Sequence, residues 1–130
     1  MPEPQKHLLL VEDEPALREV VAEQLADRGF IVEQAANGEE AYRLFLDKPF
    51  DLVLMDVQMP EVDGLEATSM IRAEERRRNL RPIPIVALTA QTSQPEHEQC
   101  FAVGMDGIIT KPVSRERLLR TIAEITGARK

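Results

Sequence analysis

Five short apolar runs, each followed by a stretch of helical spacing, constrain this chain more than any other feature. His7 to Val11, Phe30-Ile31-Val32, Leu52 to Met55, Ile85 to Leu88 and Gly107-Ile108-Ile109 read as strands. The longer runs are continuous rather than alternating, the pattern of strands covered on both faces. Pro15 suits the first turn of a helix, and Ala16, Leu17, Val20, Val21, Gln24 and Leu25 keep helical spacing up to Gly29. Asn37-Gly38 reads as a turn before a helix over Glu39 to Leu46, whose apolar face carries Ala41, Leu44 and Phe45. Further helices are expected from Gly64 to about Arg78 (stripe Leu65, Met70, Ile71), Pro95 to Val103, and Val113 to Ile125. A βα alternation within 130 residues is too short for an eight-unit barrel and predicts an open, doubly wound parallel sheet.

Composition narrows the function classes. A formal net charge of −7 argues against nucleic acid as a direct partner, because phosphate binding needs a basic surface. No apolar run is long enough to span a bilayer, and the chain opens with no signal-peptide pattern. A single cysteine, Cys100, cannot form an internal disulfide, so a reducing cytoplasm is the default compartment. Cys100 is expected half-buried on a helix, with no neighbouring basic residue to activate it. The basic stretch RAEERRRNLR, Arg72 to Arg81, is interrupted by Glu74 and Glu75 and reads as a solvated helix end rather than a docking patch.

In open α/β sheets, ligands bind at the carboxyl ends of the strands. The first run ends in Glu12-Asp13, the third in Asp56, the fourth in Thr89-Ala90 and the fifth in Thr110-Lys111-Pro112. Clustered carboxylates repel one another and are tolerable mainly around a hard cation. A few oxygen ligands with room for water suit Mg²⁺ or Mn²⁺, whereas His7 and His97 lie at no zinc-ligand spacing. Lys111 offers a compact charge for an anion and Thr89 a hydroxyl donor. Carboxylate, metal, ammonium and hydroxyl together describe phosphoryl transfer onto an aspartate. Asp56 is the central candidate, because it ends the middle strand of such a sheet. Taken singly, each residue has an ordinary explanation as a helix cap or turn marker; taken together, they require several coincidences.

LLLVEDEP, LVLMDVQMPEVDGLEA, IPIVALTA and IITKPV, in this order and spacing, resemble the response regulator receiver domain from Lys6 to about Thr126. The resemblance implies a flavodoxin-like (βα)5 sandwich with strand order 2-1-3-4-5, occupying 6–127 between a frayed leader (1–5) and a short tail (128–130). It implies that Asp56 accepts a phosphoryl group from a histidine kinase or histidine phosphotransfer protein, in a monomeric chain. Asp13, Asp56 and the backbone carbonyl of Gln58 would ligate Mg²⁺, with Glu12 acting through water. Lys111 would pair with phosphoryl oxygens, and its bond to Pro112 is expected cis. Thr89 would be the switch hydroxyl, and the small Ala90 would keep the entrance open. Pro60 stiffens the loop after Asp56 and Gly64 permits the turn into the third helix, while Met59 carries no role beyond packing.

One position departs from the family. The usual switch aromatic is Ile108 here, so the coupling of the threonine to a moving ring cannot operate in its usual form. Two other readings compete. An aspartate-nucleophile phosphatase of the haloacid dehalogenase type would place a second Asp two residues after the nucleophile, where this chain has Gln58. A degenerate receiver that binds partners without phosphorylation would not need Asp13, Asp56, Thr89 and Lys111 intact. The motifs are most similar to receivers of hybrid histidine kinases or single-domain regulators.

Overall fold

The computed structural model describes residues 6–59, 63–90 and 93–127. Strands β1 (His7–Val11), β2 (Ile31–Ala35), β3 (Leu52–Asp56), β4 (Ile85–Thr89) and β5 (Gly107–Thr110) alternate with helices α1 (Pro15–Ala26), α2 (Gly38–Asp47), α3 (Gly64–Arg78), α4 (Gln94–Ala102) and α5 (Arg115–Gly127). The strands pair in parallel in the order β2-β1-β3-β4-β5, the doubly wound sheet expected from the sequence. The leader 1–5, the tail 128–130 and Pro60 lie outside the described residues.

Alternation within the apolar runs sorts side chains to two cores. Leu9, Val11, Val53, Met55, Ile85 and Ala87 face Ala41 of α2, Ala67 and Ile71 of α3, and Cys100 of α4. Leu8, Leu10, Leu52, Leu54, Val86, Leu88 and Ile109 face Val21 and Leu25 of α1, and Leu118 and Ile122 of α5. All residues of β3 and β4 are buried, which is why those runs read as continuous apolar segments. Edge strands tolerate polar residues. β2 extends through Glu33 and Gln34 to Ala35, whereas the apolar pattern stopped at Val32. Phe30 belongs to the turn that ends α1: its N–H donates to the Leu25 carbonyl, after Gly29 at φ +89°.

Three further expectations need correction. Asn37 is the cap of α2 rather than part of a preceding turn, its Oδ1 accepting from the Glu40 N–H at 2.8 Å. Cys100 is buried, not half-buried, and burial pushes its thiol pKa up, away from reactivity. The arginine-rich end of α3 is not simply solvated. The Arg72 guanidinium donates to the Gly104 carbonyl (2.7 and 3.0 Å), Glu75 (2.8 Å) and Asp106 (3.0 Å). Glu75 also accepts from the Ile83 N–H at 2.6 Å, and Glu74 is buried between Arg77 and Arg78. This network ties α3 to the turn before β5 and the start of β4.

Candidate functional site

The strand order reverses direction beside β1, where β2 lies on one side and β3 on the other, opening a crevice at their carboxyl ends. Val11 of β1 stands opposite Met55 of β3, so Glu12 and Asp56 leave the sheet at the same level. One ligand oxygen from each of Glu12, Asp13 and Asp56 lies within 4.8 Å of the others. Glu12 and Asp56 are each 1% exposed, while Asp13 is open to solvent. The Lys111 ammonium bridges the two buried carboxylates, 3.1 Å from Glu12 Oε1 and 3.3 Å from Asp56 Oδ1. The Lys111–Pro112 peptide bond is cis.

Backbone contacts hold these groups in place. The Gln58 N–H donates to Asp56 Oδ1 at 3.1 Å, and the Glu14 N–H to Glu12 Oε2 at 3.2 Å. Asp56 Oδ2 is buried without a hydrogen-bond partner among the described residues. Leu88 stands opposite Asp56, so buried Thr89 lies one residue further along the same edge, and its carbonyl accepts the Lys111 N–H at 2.8 Å. Ala90, at the rim, is exposed. Ile108 stands opposite Ala87 and packs half-buried against the core shared with α2, α3 and α4.

Gly64 does more than permit a turn. A Cβ there would lie 2.2 Å from the Asp56 carbonyl oxygen and 2.8 Å from Val57 Cα, so the start of α3 lies directly on the Asp56 peptide. The Gly64 N–H donates to the Val57 carbonyl at 3.1 Å. Met59 is buried in the core, as packing alone requires.

The electrostatics are unbalanced. Burial first, then the hydrogen bond and charge of Glu12, push the Asp56 carboxyl up to about 7, against the pull of Lys111 and the Gln58 N–H. Burial pulls the Lys111 ammonium down, but the bond to Glu12 and the charges of Asp56 and Glu12 outweigh it and leave its pKa raised. Two buried carboxylates sharing one ammonium, a third at the mouth, and an orphaned Oδ2 fit a hard divalent cation: an all-oxygen, solvent-accessible set. Two clefts of about 430 and 370 Å³ share Phe50, Arg81 and Ile83 at the opposite end of the sheet, so cavity size does not locate this chemistry.

Arg18 was not legible as a site residue. From the first turns of α1 its guanidinium donates to the Glu12 carbonyl at 2.8 Å. An arginine on a helix opening gives no sequence signal for such a return contact.

The chain matches the response regulator receiver domain over residues 8–123. It is 41% identical over 120 residues to the sensor histidine kinase GacS of Pseudomonas protegens, covering 92% of this chain and 13% of that protein. The chain thus spans about an eighth of that relative's length. A crystal structure of the receiver domain of sensor histidine kinase PA1611 from Pseudomonas aeruginosa, with magnesium coordinated in its active-site cleft, superposes with TM-score 0.85 at 36% identity, covering 95% and 99% of the two chains. The receiver domain of Saccharomyces cerevisiae Ssk1, crystallised with the histidine phosphotransfer protein Ypd1, gives TM-score 0.89 at 30% identity, covering 95% and 90%. With that fold, that strand-end cluster and these relatives, the chain belongs to the response regulator receiver family, the phosphoaccepting module of two-component and phosphorelay signalling.

Proposed function

We propose that Asp56 is the phosphoacceptor of this receiver and that 6–127 forms the working unit. The observation that carries the reading is the orphaned, buried Asp56 Oδ2 beside Lys111 and the acidic pair. An Oδ2 lone pair attacks the phosphorus of a phosphohistidine. The P–N bond breaks, and its electron pair returns to the imidazole nitrogen, which takes a proton from water at the solvent-exposed mouth of the site. Lys111, 3.3 Å from Asp56 Oδ1, would neutralise a phosphoryl oxygen as it arrives, and Thr89 would donate its hydroxyl to another. Asp13, Asp56 and the Gln58 carbonyl, with Glu12 through water, would hold a Mg²⁺ ion, which would supply the remaining charge neutralisation. Ala90 at the rim leaves the approach to Asp56 open.

Partners follow from the chemistry: a histidine kinase or histidine phosphotransfer protein as donor or recipient, with this chain as a monomer. Its activity is phosphoacceptance with self-catalysed transfer and hydrolysis rather than turnover of a separate substrate. Gln58 supplies no general acid, which disfavours the phosphatase reading. A reducing cytoplasmic setting suits the free, buried Cys100 thiol; no described helix is long and apolar enough to cross a membrane. The similarity to GacS favours a receiver carried by a hybrid kinase or acting as a single-domain regulator. Incubation with acetyl phosphate and Mg²⁺ should add one phosphoryl group by intact mass, and none to Asp56→Asn. An equal gain in both proteins would overturn the assignment.

A further inference from the structure

We propose that Arg18 is a positioning residue for the divalent cation, acting through the Glu12–Asp13 peptide; the inference rests on the metal reading above. Glu12 is held by hydrogen bonds at its N–H, which donates to the Ala35 carbonyl at 3.1 Å, and at its Oε2, which accepts from the Glu14 N–H. Its Oε1, without a hydrogen-bond partner among the described residues, lies in ion-pair range of Lys111 at 3.1 Å. The remaining handle is the carbonyl, and the half-buried Arg18 takes it at 2.8 Å. That carbonyl belongs to the peptide that leads into Asp13. No hydrogen bond or ion pair holds the Asp13 carboxylate among the described residues, so its aim toward Asp56 depends on the backbone alone. Fixing the plane of the Glu12–Asp13 peptide fixes the direction in which the Asp13 side chain leaves the chain. Arg18 is itself anchored close by: its own N–H donates to the Glu14 carbonyl at 3.0 Å as α1 begins.

Two effects of Arg18 on a divalent ion have opposite signs, and this makes the proposal decidable. As a positive charge beside the cluster, Arg18 repels a cation, so removing it should tighten binding. As the anchor of the peptide that aims a ligand, it favours binding, and removing it should weaken binding. Outer-shell partners of metal ligands are worth about 10–100-fold in affinity.

The test is calorimetric titration of the intact chain with MgCl₂, for wild type, Arg18→Met, Arg18→Lys and Arg18→Gln. Arg18→Met keeps the length and apolar stem but loses donor and charge, and its Mg²⁺ affinity should fall by roughly tenfold. Arg18→Lys keeps a donor of similar reach and should stay within about threefold of wild type. Arg18→Gln, polar but too short to span the gap, should match the methionine variant and serves in its place if that protein folds poorly. Equal or tighter Mg²⁺ binding in Arg18→Met or Arg18→Gln would overturn the positioning role. Absence of Mg²⁺ binding in wild type would instead overturn the metal reading, and this inference with it.

Discussion

As the proposed phosphoacceptor, Asp56 has to be ionised to attack, and the burial that shields it opposes its charge. Its carboxyl pKa is raised from 3.8 to about 7 without metal. A raised carboxyl pKa means that the folded chain binds the proton more tightly than the unfolded chain. Its stabilising effect is therefore complete below pH 3.8 and is lost as pH rises toward about 7. Asp56→Asn, which mimics the protonated form, should raise stability in EDTA at neutral pH by roughly 1–3 kcal/mol. That gain should shrink towards zero near pH 4, as melting curves of the two proteins across this range will show. Mg²⁺ should also stabilise wild type, by about 2–3 kcal/mol when present at a hundredfold excess over its Kd. Asp13→Ala should lose that Mg²⁺-dependent rise in melting temperature; an undiminished rise would remove Asp13 from the ligand set. The residues of this site were legible because each follows an apolar run at the same edge. Arg18 was not, since its contact runs from a side chain back to a carbonyl and leaves no trace in residue spacing.

Two elements depend on contacts that periodicity does not encode. The opening of α3 rests on the Asp56 peptide, with no room for a Cβ at Gly64. Gly64→Ala should therefore cost about 2–4 kcal/mol in urea denaturation and weaken Mg²⁺ binding through the displaced Asp56. A cost within the range of an ordinary surface Gly→Ala change would contradict this. The far end of α3 is fastened by Arg72, whose side chain is 11% exposed and satisfies the buried Glu75. Arg72→Met leaves that carboxylate unpaired and should cost about 3 kcal/mol, measured the same way. Reading the Arg72–Arg81 stretch as solvated holds for Arg76 to Arg81, which are exposed. It missed Arg72 and Glu75, because sequence counts charges without showing the Gly104 carbonyl, Asp106 and the Ile83 N–H that meet them. The central strands were legible because burial on both faces leaves continuous apolar runs. The end of β2 was not, because an edge strand pairs through its backbone whatever side chains it carries.

At the scale of the whole molecule, the acidic site occupies one end of the sheet and the side chains that report on it lie at its rim. Val20 is 50% exposed on α1, Ala16 is exposed one turn earlier on the same helix, and Pro112 is exposed directly after Lys111. This apolar rim is the expected landing surface for a histidine phosphotransfer partner. Val20→Asp should weaken that partner's binding by about tenfold or more while leaving acetyl phosphate labelling intact. Output through Ile108 is expected to differ from that of receivers with an aromatic there, because a branched aliphatic side chain can repack but has no ring to swing. Small-angle scattering with and without beryllofluoride should show a monomer in both states, and a shift to dimer would contradict this view of output. The central claim, that Asp56 takes the phosphoryl group, is tested most directly by borohydride reduction of the acetyl phosphate-treated protein followed by peptide mapping. Reduction of an aspartyl phosphate leaves homoserine, and the account predicts it at position 56 alone. Homoserine at another aspartate, or at none while the intact protein still gains a phosphoryl group, would contradict it.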